Sequence, residues 1–390
     1  MPTSSGKPAF LHPYAKPTRE SFIRIVRGEG ALVWDSDGHE LVDGMASLWY
    51  CSAGHGRAEI ADAIGAQARQ LGAYSCFDPF TNEPADRLAE DLCAIAPMKD
   101  ARVFLCSSGS EAIDTSMKLA RIAHVQAGEP QRKLIISRSR GYHGVAYGGT
   151  SAQGIAPNKE NFGPFVDSVV QVPADDIEAL ATLMHERSDE IAAVLTEPVQ
   201  GAAGIYPPPD GYLTSLRRLC DQHGAYLIFD EVITGFGRLG SWFASHHYDV
   251  RPDLVTFAKA VTSGYQPLGG VFVGPAPRAA LESDQDFFLR HGFTPTPVTR
   301  RHARLRSPTS RSSVARTSSH APRTSAIACA TGCGRSLRTG SSITRVARGR
   351  CGPPACVPTR TRPQCATRCS PAASSPARST QTPSRSARRS

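Results

Sequence analysis

Two short apolar runs within residues 226–270 each end at a charged side chain. The first run, Tyr-Leu-Ile-Phe, ends at Asp230, and the second, residues 254–258, ends at Lys259. Their length and apolar content are typical of strands buried in a parallel sheet. Because open α/β sheets bind ligands at the carboxyl edge of their strands, the pattern predicts an acid and an amine at one such edge.

An amine and a carboxylate in this arrangement suit pyridoxal 5'-phosphate. Lys259 can bond covalently to the aldehyde of that cofactor, and Asp230 can keep the ring nitrogen protonated so that the ring accepts electrons. A lysine or an aspartate alone at a strand end is more often a solvated surface group. The pair is more specific, because Gly-Phe-Gly-Arg follows the aspartate and Pro-Leu-Gly-Gly follows the lysine.

With Asp-Glu-Val-Ile-Thr-Gly-Phe-Gly-Arg at 230–238 and Pro-Leu-Gly-Gly at 267–270, the chain resembles the class III (omega) aminotransferases. The resemblance covers residues 15–294 and implies a fold-type-I pyridoxal-phosphate enzyme. Its large domain would be α/β with a mostly parallel, doubly wound sheet, beside a small domain that is truncated here. In that family the residue matching Lys259 bonds the cofactor and the residue matching Asp230 pairs with the pyridine nitrogen.

The family activity is transfer of an amino group from an amine or omega-amino acid to a 2-oxo acid such as pyruvate. The resemblance therefore implies small-molecule partners, an amino donor and a 2-oxo acid acceptor, and a homodimer. Leu239 stands where the family usually has threonine, which we expect to be tolerated on a loop. Ile233 is apolar and favours the pyruvate-dependent omega branch.

The motif Ser-Ser-Gly-Ser-Glu-Ala at 107–112 predicts a phosphate site where a strand leads into a helix. Gly109 lets the backbone approach an anion, Ser110 adds a hydroxyl, and the free N–H groups of the first helical turn point to the same place. The alternative is a plain serine N-cap. The match to the family motif favours the phosphate site, with Ser108, Gly109 and Ser110 as cofactor-binding residues.

Four more candidates depend on the resemblance. Tyr142 matches the aromatic residue that lies against the pyridine ring, and Val232 belongs to the cofactor-binding run. Trp49 matches a bulky wall of the substrate pocket, with a core residue as the alternative. Glu197 matches a glutamate that pairs with a mobile, carboxylate-binding arginine, with a solvated strand end as the alternative. His143 is predicted to be structural rather than a catalytic base.

Turn and periodicity patterns place the other elements. The Asp37–Gly38 turn between alternating runs predicts a hairpin over residues 31–44. Alternating strands and helices predict a parallel, doubly wound sheet. The predicted helices are 58–71, 84–95, 110–123, 175–191 and 213–223. Residues 1–56 are predicted to be the N-terminal segment of the small domain, and residues 57–294 the pyridoxal-phosphate-binding large domain.

The composition changes abruptly at Pro295. Residues 295–390 contain 19 of the 44 basic residues, all arginine, but no Asp, Glu, Phe, Tyr or Trp; residues 1–294 therefore hold 25 basic and 35 acidic residues. A tail with low hydrophobicity and dense like charge cannot bury enough surface to offset its ordering entropy. We predict that this Arg/Ser/Pro-rich tail is disordered.

The junction indicates a frameshift. After His-Gly-Phe-Thr at 291–294 the family continues Tyr-Ser-Gly-His-Pro, whereas this chain continues Pro-Thr-Pro-Val-Thr-Arg. The codons CCT ACT CCG GTC ACC CGG specify the observed residues, and the same bases read from the third position specify the family residues. The small domain and its carboxylate-binding arginine would then be lost, and we expect an impaired enzyme.

Other interpretations remain. The run Asp-Gly-Met-Ala-Ser-Leu-Trp at 43–49 also resembles diaminopelargonate aminotransferases of the biotin pathway. A non-catalytic protein whose basic tail binds nucleic acid is a further alternative, although a nucleic-acid partner is not our prediction. The tail cysteines do not match a zinc pattern, so no metal site is predicted. The chain lacks a run long enough for a membrane span and an N-terminal secretion signal, which predicts a cytoplasmic protein.

Overall fold

The computed structural model describes residues 8–287, 289 and 293, and the structural statements below refer to these residues. The predicted disorder of residues 295–390 and the proposed frameshift lie outside the described residues. The described strands are β1 (Ile25–Glu29), β2 (Leu32–Asp35), β3 (Glu40–Val42), β4 (Arg102–Cys106), β5 (Leu134–Arg138), β6 (Val169–Val172), β7 (Ile191–Thr196), β8 (Tyr226–Asp230), β9 (Leu254–Phe257) and β10 (Gly269–Val273). The helices are α1 (Ala46–Trp49), α2 (Ala58–Gln70), α3 (Glu83–Cys93), α4 (Gly109–Gln126), α5 (Tyr147–Ala152), α6 (Ile177–Glu186), α7 (Tyr212–His223), α8 (Ala244–Tyr248) and α9 (Pro275–Leu281).

A seven-stranded sheet organises the molecule, with strand order β4-β10-β9-β8-β7-β5-β6. The strands from β9 to β6 are parallel, and β10 runs antiparallel to both of its neighbours. The strands β7 and β5 are buried along their whole length, as expected for parallel strands covered on both faces. The predicted mostly parallel α/β sheet is therefore confirmed.

Side chains alternate along the strands between two hydrophobic cores. On β8, Leu227 and Phe229 belong to one core and Ile228 to the other. The first core also contains residues of α3, α6 and α7, whereas the second contains residues of α4 and α5. Helices thus cover both faces of the sheet, which leaves its strand ends as the open edge available to a ligand.

A separate three-stranded antiparallel sheet, β1-β2-β3, lies in the N-terminal part. The predicted hairpin is confirmed, because β2 pairs with β3 on either side of the turn. The Asp35 carboxylate accepts the backbone N–H groups of Asp37 and His39, each at 2.9 Å. Gly38 adopts a φ of +85°, which a residue without Cβ reaches at little cost.

The predicted helix over 175–191 is wrong in its length. The side chain of Asp176 caps α6 by accepting the N–H of Ala179 at 2.9 Å, and the helix ends at Glu186. A 3₁₀ turn, Ser188–Glu190, follows, and β7 begins at Ile191. Apolar residues continue from the helix into the buried strand β7. Periodicity alone does not distinguish the end of a helix from the start of such a strand.

Glu231, directly after β8, ties the end of that strand to α8. It is fully buried, and its carboxylate accepts the backbone N–H groups of Ala244 and Ser245 and the hydroxyls of Ser245 and Thr234. Burial raises the pKa of this carboxyl, while the same hydrogen bonds oppose that effect. The network fixes the chain immediately beyond Asp230.

Replacing Glu231 with alanine should lower the free energy of unfolding by at least about 3 kcal/mol, because it leaves buried N–H groups without an acceptor. Chemical denaturation of the full chain measures this change. The matched control is Glu160→Ala at an exposed position, which should shift the free energy by less than about 0.5 kcal/mol. Equal effects of the two substitutions would contradict a structural role for Glu231.

Within the described residues, no helix combines the length and the apolar character required to cross a lipid bilayer.

Candidate active site

The structure brings the two charged strand ends together. Asp230 is the last residue of β8 and pairs in register with Thr256 of β9, and Lys259 follows the end of β9 by two residues. Both side chains line a cavity of about 120 Å³ at the carboxyl edge of the sheet. Seven predicted site residues line this cavity: Gly109, Ser110, Tyr142, Glu197, Asp230, Val232 and Lys259.

Asp230 is held rigidly. Only 5% of the residue is exposed, and its Oδ1 accepts the N–H of Val232 at 3.1 Å and the hydroxyl of Thr256 at 3.2 Å. Its Oδ2 lies 2.8 Å from Nδ1 of His143. Since an ionised carboxylate only accepts hydrogen bonds, the proton of this contact belongs to Nδ1 of the imidazole. The carboxylate is therefore fixed in orientation inside the cavity.

His143 is a functional candidate that the sequence reasoning did not assign. The side chain is buried, and its Nε2 has no hydrogen-bond partner among the described residues. It contacts Asp230 from a loop 87 positions away in the chain. The surrounding Arg-Gly-Tyr-His-Gly run was the only sequence indication, and it could not show which residue the histidine contacts.

Lys259 presents an amine without a partner. The residue begins a 3₁₀ turn with a φ of +48°, and among the described residues no hydrogen bond or ion pair holds its Nζ. Burial lowers the pKa of the Lys259 ammonium, and the carboxylates of Asp230 and Glu197 partly offset that effect. A desolvated lysine with a lowered pKa is a better nucleophile and base than an exposed one.

The N-terminus of α4 faces the same cavity. Gly109 begins the helix, and a Cβ at this position would lie only 3.1 Å from the side chain of Val232, so glycine permits a close approach. Ser110 lines the cavity, and its hydroxyl accepts the N–H of Val145 at 3.0 Å. An 18-residue helix directs its first N–H groups and the positive end of its dipole to this end of the cavity, where they can bind an anion.

Ser108 has a different environment from its neighbours. Its hydroxyl caps α4 by accepting the N–H of Glu111 at 3.2 Å, while the Glu111 carboxylate accepts the N–H of Ser107 at 2.8 Å. Ser108 is therefore the N-cap of α4, and Glu111 at the third helical position accepts the N–H of the residue before the cap, a variant of the capping box. Ser108 does not line the cavity, so its side chain fits the N-cap interpretation weighed from the sequence.

Trp49 is also absent from the cavity. It ends α1, a short helix in which Ala46, Ser47 and Trp49 all have positive φ, and the side chain is half-buried. Its predicted role as a wall of the substrate pocket gains no support from its position.

Glu197 is buried beside this group. Its Oε1 accepts the N–H of Tyr142 at 2.8 Å, and its Oε2 accepts the N–H of Gly201 at 2.9 Å. Burial, with a further contribution from Asp230, raises the pKa of Glu197 to about 7, although His143 and the two hydrogen bonds act in the opposite direction. No described arginine reaches this carboxylate.

The raised pKa of Glu197 predicts a pH-dependent stability. Between pH 4.5 and 7 the folded protein holds a proton that the unfolded chain releases, so this contribution to stability is present below pH 4.5 and is lost as the pH rises through 7. Glu197→Gln removes this titration. The difference in unfolding free energy between the variant and the natural chain should therefore change in favour of the variant by roughly 3 kcal/mol as the pH rises from 4.5 to above 7.

Denaturation of both proteins at several pH values measures that difference. Glu178→Gln, at an exposed position on α6, serves as the control and should show no such trend. A difference between the natural chain and Glu197→Gln that stays constant with pH would contradict the prediction.

The residues that line the cavity fit pyridoxal phosphate. The amine of Lys259, which has no partner among the described residues, suits its aldehyde, and the fixed carboxylate of Asp230 suits its ring nitrogen. The N-terminus of α4, with Gly109 allowing close approach, suits its phosphate. The side chains of Tyr142 and Val232 line the space between these groups with aromatic and apolar surface.

A second cavity of about 450 Å³ shares Tyr142 with the first. Its walls are largely aromatic and apolar, with Tyr14, Val145, Tyr147 and Phe162 among them. The Tyr14 hydroxyl donates to the Asn158 side chain at 3.4 Å. The sequence did not reveal this cavity, because residues 13–14 and 145–162 carry no shared motif.

Comparison with known proteins gives a consistent result. Residues 14–294 match the family described as Aminotransferase class-III. The chain is 40% identical over 267 residues to the beta-alanine–pyruvate aminotransferase of Pseudomonas aeruginosa, covering 63% of this chain and 59% of the relative. It is 39% identical over 284 residues to an omega-aminotransferase of Caulobacter vibrioides, covering 66% of this chain and 63% of that protein.

A solved structure is also similar. It is an amine transaminase from an uncultivated Pseudomonas species in a PLP-bound form, with a TM-score of 0.70 and 35% identity over 77% of this chain and 72% of that one. The chain thus spans about three fifths of the length of the two curated relatives.

Proposed function

The chain belongs to the class III aminotransferase family, and on that basis we propose that it transfers an amino group from an amine or omega-amino acid to a 2-oxo acid such as pyruvate. Enzymes of this family depend on pyridoxal phosphate, and the residues of the first cavity fit that cofactor. One observation carries the proposal: the Lys259 amine, which pairs with no described residue, shares a cavity with the fixed Asp230 carboxylate at the N-terminus of α4.

When bound, pyridoxal phosphate supplies a covalent link for amino groups and a ring that accepts electrons. The Asp230 carboxylate would hold a proton at the ring nitrogen, and the Nδ1–H of His143 keeps that carboxylate in place. The first N–H groups of α4 would bind the phosphate. Lys259 Nζ would bond the cofactor at rest and then move the proton at the donor's amine-bearing carbon, a task that its lowered pKa favours.

The second cavity suits the rest of the donor. Its largely aromatic and apolar walls would receive an apolar portion of an amine donor, while Tyr142 borders both cavities. The apolar side chain of Ile233, which lines the first cavity, is consistent with the pyruvate-dependent branch. The relative from Pseudomonas aeruginosa carries beta-alanine and pyruvate in its name, which supports pyruvate as the acceptor and makes beta-alanine the first donor to assay.

Several finer assignments belong to the same proposal. We infer a homodimer in the cytoplasm, with residues 1–56 in a small domain and residues 57–294 in the cofactor-binding domain. We also infer that the residues after 294 arise from a frameshift and impair turnover. Sequencing the gene in all frames tests that point: an alternative frame that does not continue as an aminotransferase would rule the frameshift out.

The function is tested by incubating the purified chain and its frame-corrected version with pyridoxal phosphate, beta-alanine and pyruvate, and measuring alanine. Alanine formation that depends on all three additions is the expected result. The biotin-pathway alternative would instead show turnover with S-adenosylmethionine and the corresponding keto-acid precursor. If both proteins lack activity with either pair while remaining folded, the proposed activity is wrong.

A further inference from the structure

The turn that carries Lys259 has an unfavourable backbone conformation. We call residues 259–264 the Lys259 turn. Lys259 and Ser263 have φ values of +48° and +52°, and Gly264 has +77°. Positive φ is costly for a residue with a Cβ, and it persists only where surrounding contacts impose it. The Lys259 turn therefore requires an external structure to hold it.

That structure is a segment from the other end of the chain, residues 50–57, which we call the bracing segment. The hydroxyl of Ser263 accepts the N–H of Ala53 at 2.8 Å. The hydroxyl of Tyr265, directly after the turn, donates to the carbonyl of Gly54 at 2.9 Å and accepts the N–H of Arg57 at 2.8 Å. Two side-chain hydroxyls thus satisfy three backbone groups of the bracing segment.

Packing adds to these hydrogen bonds. The ring of Tyr50 lies directly against Gly264, and a Cβ at Gly264 would overlap that ring. Gly264 therefore serves two needs, the positive φ and the close approach of Tyr50.

The bracing segment is itself anchored to the N-terminal sheet. The backbone groups of His55 and Gly30 exchange two hydrogen bonds, at 2.9 and 3.0 Å. The Nε2 of His55 also lies 2.8 Å from the Asp43 carboxylate. A rigid connection consequently runs from the three-stranded sheet through the bracing segment to the Lys259 turn.

We propose that Tyr265 and Ser263 are positioning residues for Lys259: their hydroxyls hold the Lys259 turn against the bracing segment so that the lysine amine points into the first cavity. Neither residue lines that cavity, so each acts through the backbone rather than by touching the reacting atoms. The inference rests on the proposed function in one respect, namely that Lys259 is the residue that bonds the cofactor.

Loss of these hydroxyls should lower the fraction of molecules whose Lys259 amine points into the first cavity. Without the hydroxyl of Tyr265 two hydrogen bonds are lost, and the Lys259 turn can relax towards negative φ values in which the amine leaves the cavity. A protein in which only a fraction of molecules is competent reacts in proportion to that fraction. The loss of two neutral hydrogen bonds is large enough to reduce the competent fraction, and with it the reaction rate, about tenfold.

The experiment uses the cofactor-free full chain, mixed with pyridoxal phosphate. The rate of covalent capture is followed by absorbance, and borohydride reduction with peptide mapping identifies the modified lysine. Tyr265→Phe removes the hydroxyl but keeps the ring, and Ser263→Ala provides a second, independent variant. Tyr248→Phe, a half-buried tyrosine of α8 for which no described hydrogen bond exists, is the matched control.

We expect capture at Lys259 to slow about tenfold in Tyr265→Phe, less in Ser263→Ala, and not in Tyr248→Phe. We also expect the pH of half-maximal capture to rise in Tyr265→Phe. In the natural chain burial lowers the pKa of the Lys259 ammonium, although the charges of Asp230 and Glu197 oppose this effect. A released turn exposes the amine, so the lowering by burial is lost. Hydrogen exchange should quicken in residues 50–57 and 259–265 together.

Different failures have different meanings. If the natural chain captures the cofactor at Lys259 and Tyr265→Phe does so with the same rate and pH profile, the positioning role is wrong, even where the variant melts at a lower temperature. If neither the natural chain nor its frame-corrected version is modified at Lys259, the proposed function fails instead. The hydrogen-exchange measurement does not depend on the cofactor. If exchange in both segments is the same in Tyr265→Phe as in the natural chain, the Tyr265 hydroxyl does not hold the two segments together, whichever protein captures the cofactor.

Discussion

Lys259→Ala is expected to abolish covalent binding of pyridoxal phosphate and to lower transaminase turnover by about 10³-fold or more, because one side chain supplies both the cofactor link and the base. The position of Lys259 in the structure supports this expectation. The Lys259 amine lines the first cavity without a described partner, and burial lowers its pKa.

Borohydride reduction followed by mass spectrometry measures the covalent link without requiring turnover. The control is Lys133→Ala, which removes an exposed lysine and should retain both the link and the activity. Modification of another lysine in the natural chain, or undiminished turnover in Lys259→Ala, would contradict the assignment.

Asp230→Asn is expected to leave the covalent link at Lys259 in place while slowing turnover by about 10²- to 10³-fold, a size typical of losing one preorganised electrostatic contact. The asparagine oxygen can still accept the hydrogen bond from His143 and its amide nitrogen can donate to the Thr256 hydroxyl, although the N–H of Val232 loses its acceptor. What it loses is the negative charge that would hold a proton on the ring nitrogen.

A single-turnover reaction with the amino donor, followed by absorbance, separates this defect from weak cofactor binding. Asp62→Asn, at an exposed position of α2, is the matched control and should react at the natural rate. Equal rates for Asp230→Asn and the natural chain would rule out the electrostatic role. Loss of the covalent link in Asp230→Asn would instead point to a structural role for the carboxylate.

The comparison of Glu231 with Asp230 shows how neighbouring carboxylates take different roles. Both are buried at the end of β8, but Glu231 is enclosed by hydrogen bonds from α8, whereas Asp230 faces the cavity. Successive residues of a strand point to opposite sides, which separates the two side chains. The destabilisation expected for Glu231→Ala and the catalytic defect expected for Asp230→Asn therefore test two sides of one strand end.

Local patterns in the sequence were sufficient for much of the fold. The end of β8 at Asp230, the hairpin around Gly38 and the helix that begins near Gly109 all depend on contacts within a few residues, and each agrees with the prediction. The next strand, β9, ends at Phe257, two residues before the predicted end at Lys259. The end of α6 was missed because an apolar run continued into β7. The backbone changes there from helix to strand, whereas the pattern of apolar residues continues.

The sequence by itself determined the N-terminal hairpin, the longer helices, the alternation that gives the fold class and the acid and amine at the sheet edge, because these follow from short-range periodicity and motif. Only the tertiary structure decided that His143 holds Asp230, that the pKa of Glu197 rises to about 7, and that Tyr265 braces the Lys259 turn from residues 50–57. The physical reason is that each of these depends on a specific contact or on burial between residues far apart in the chain. Such proximity leaves no periodic trace in the sequence.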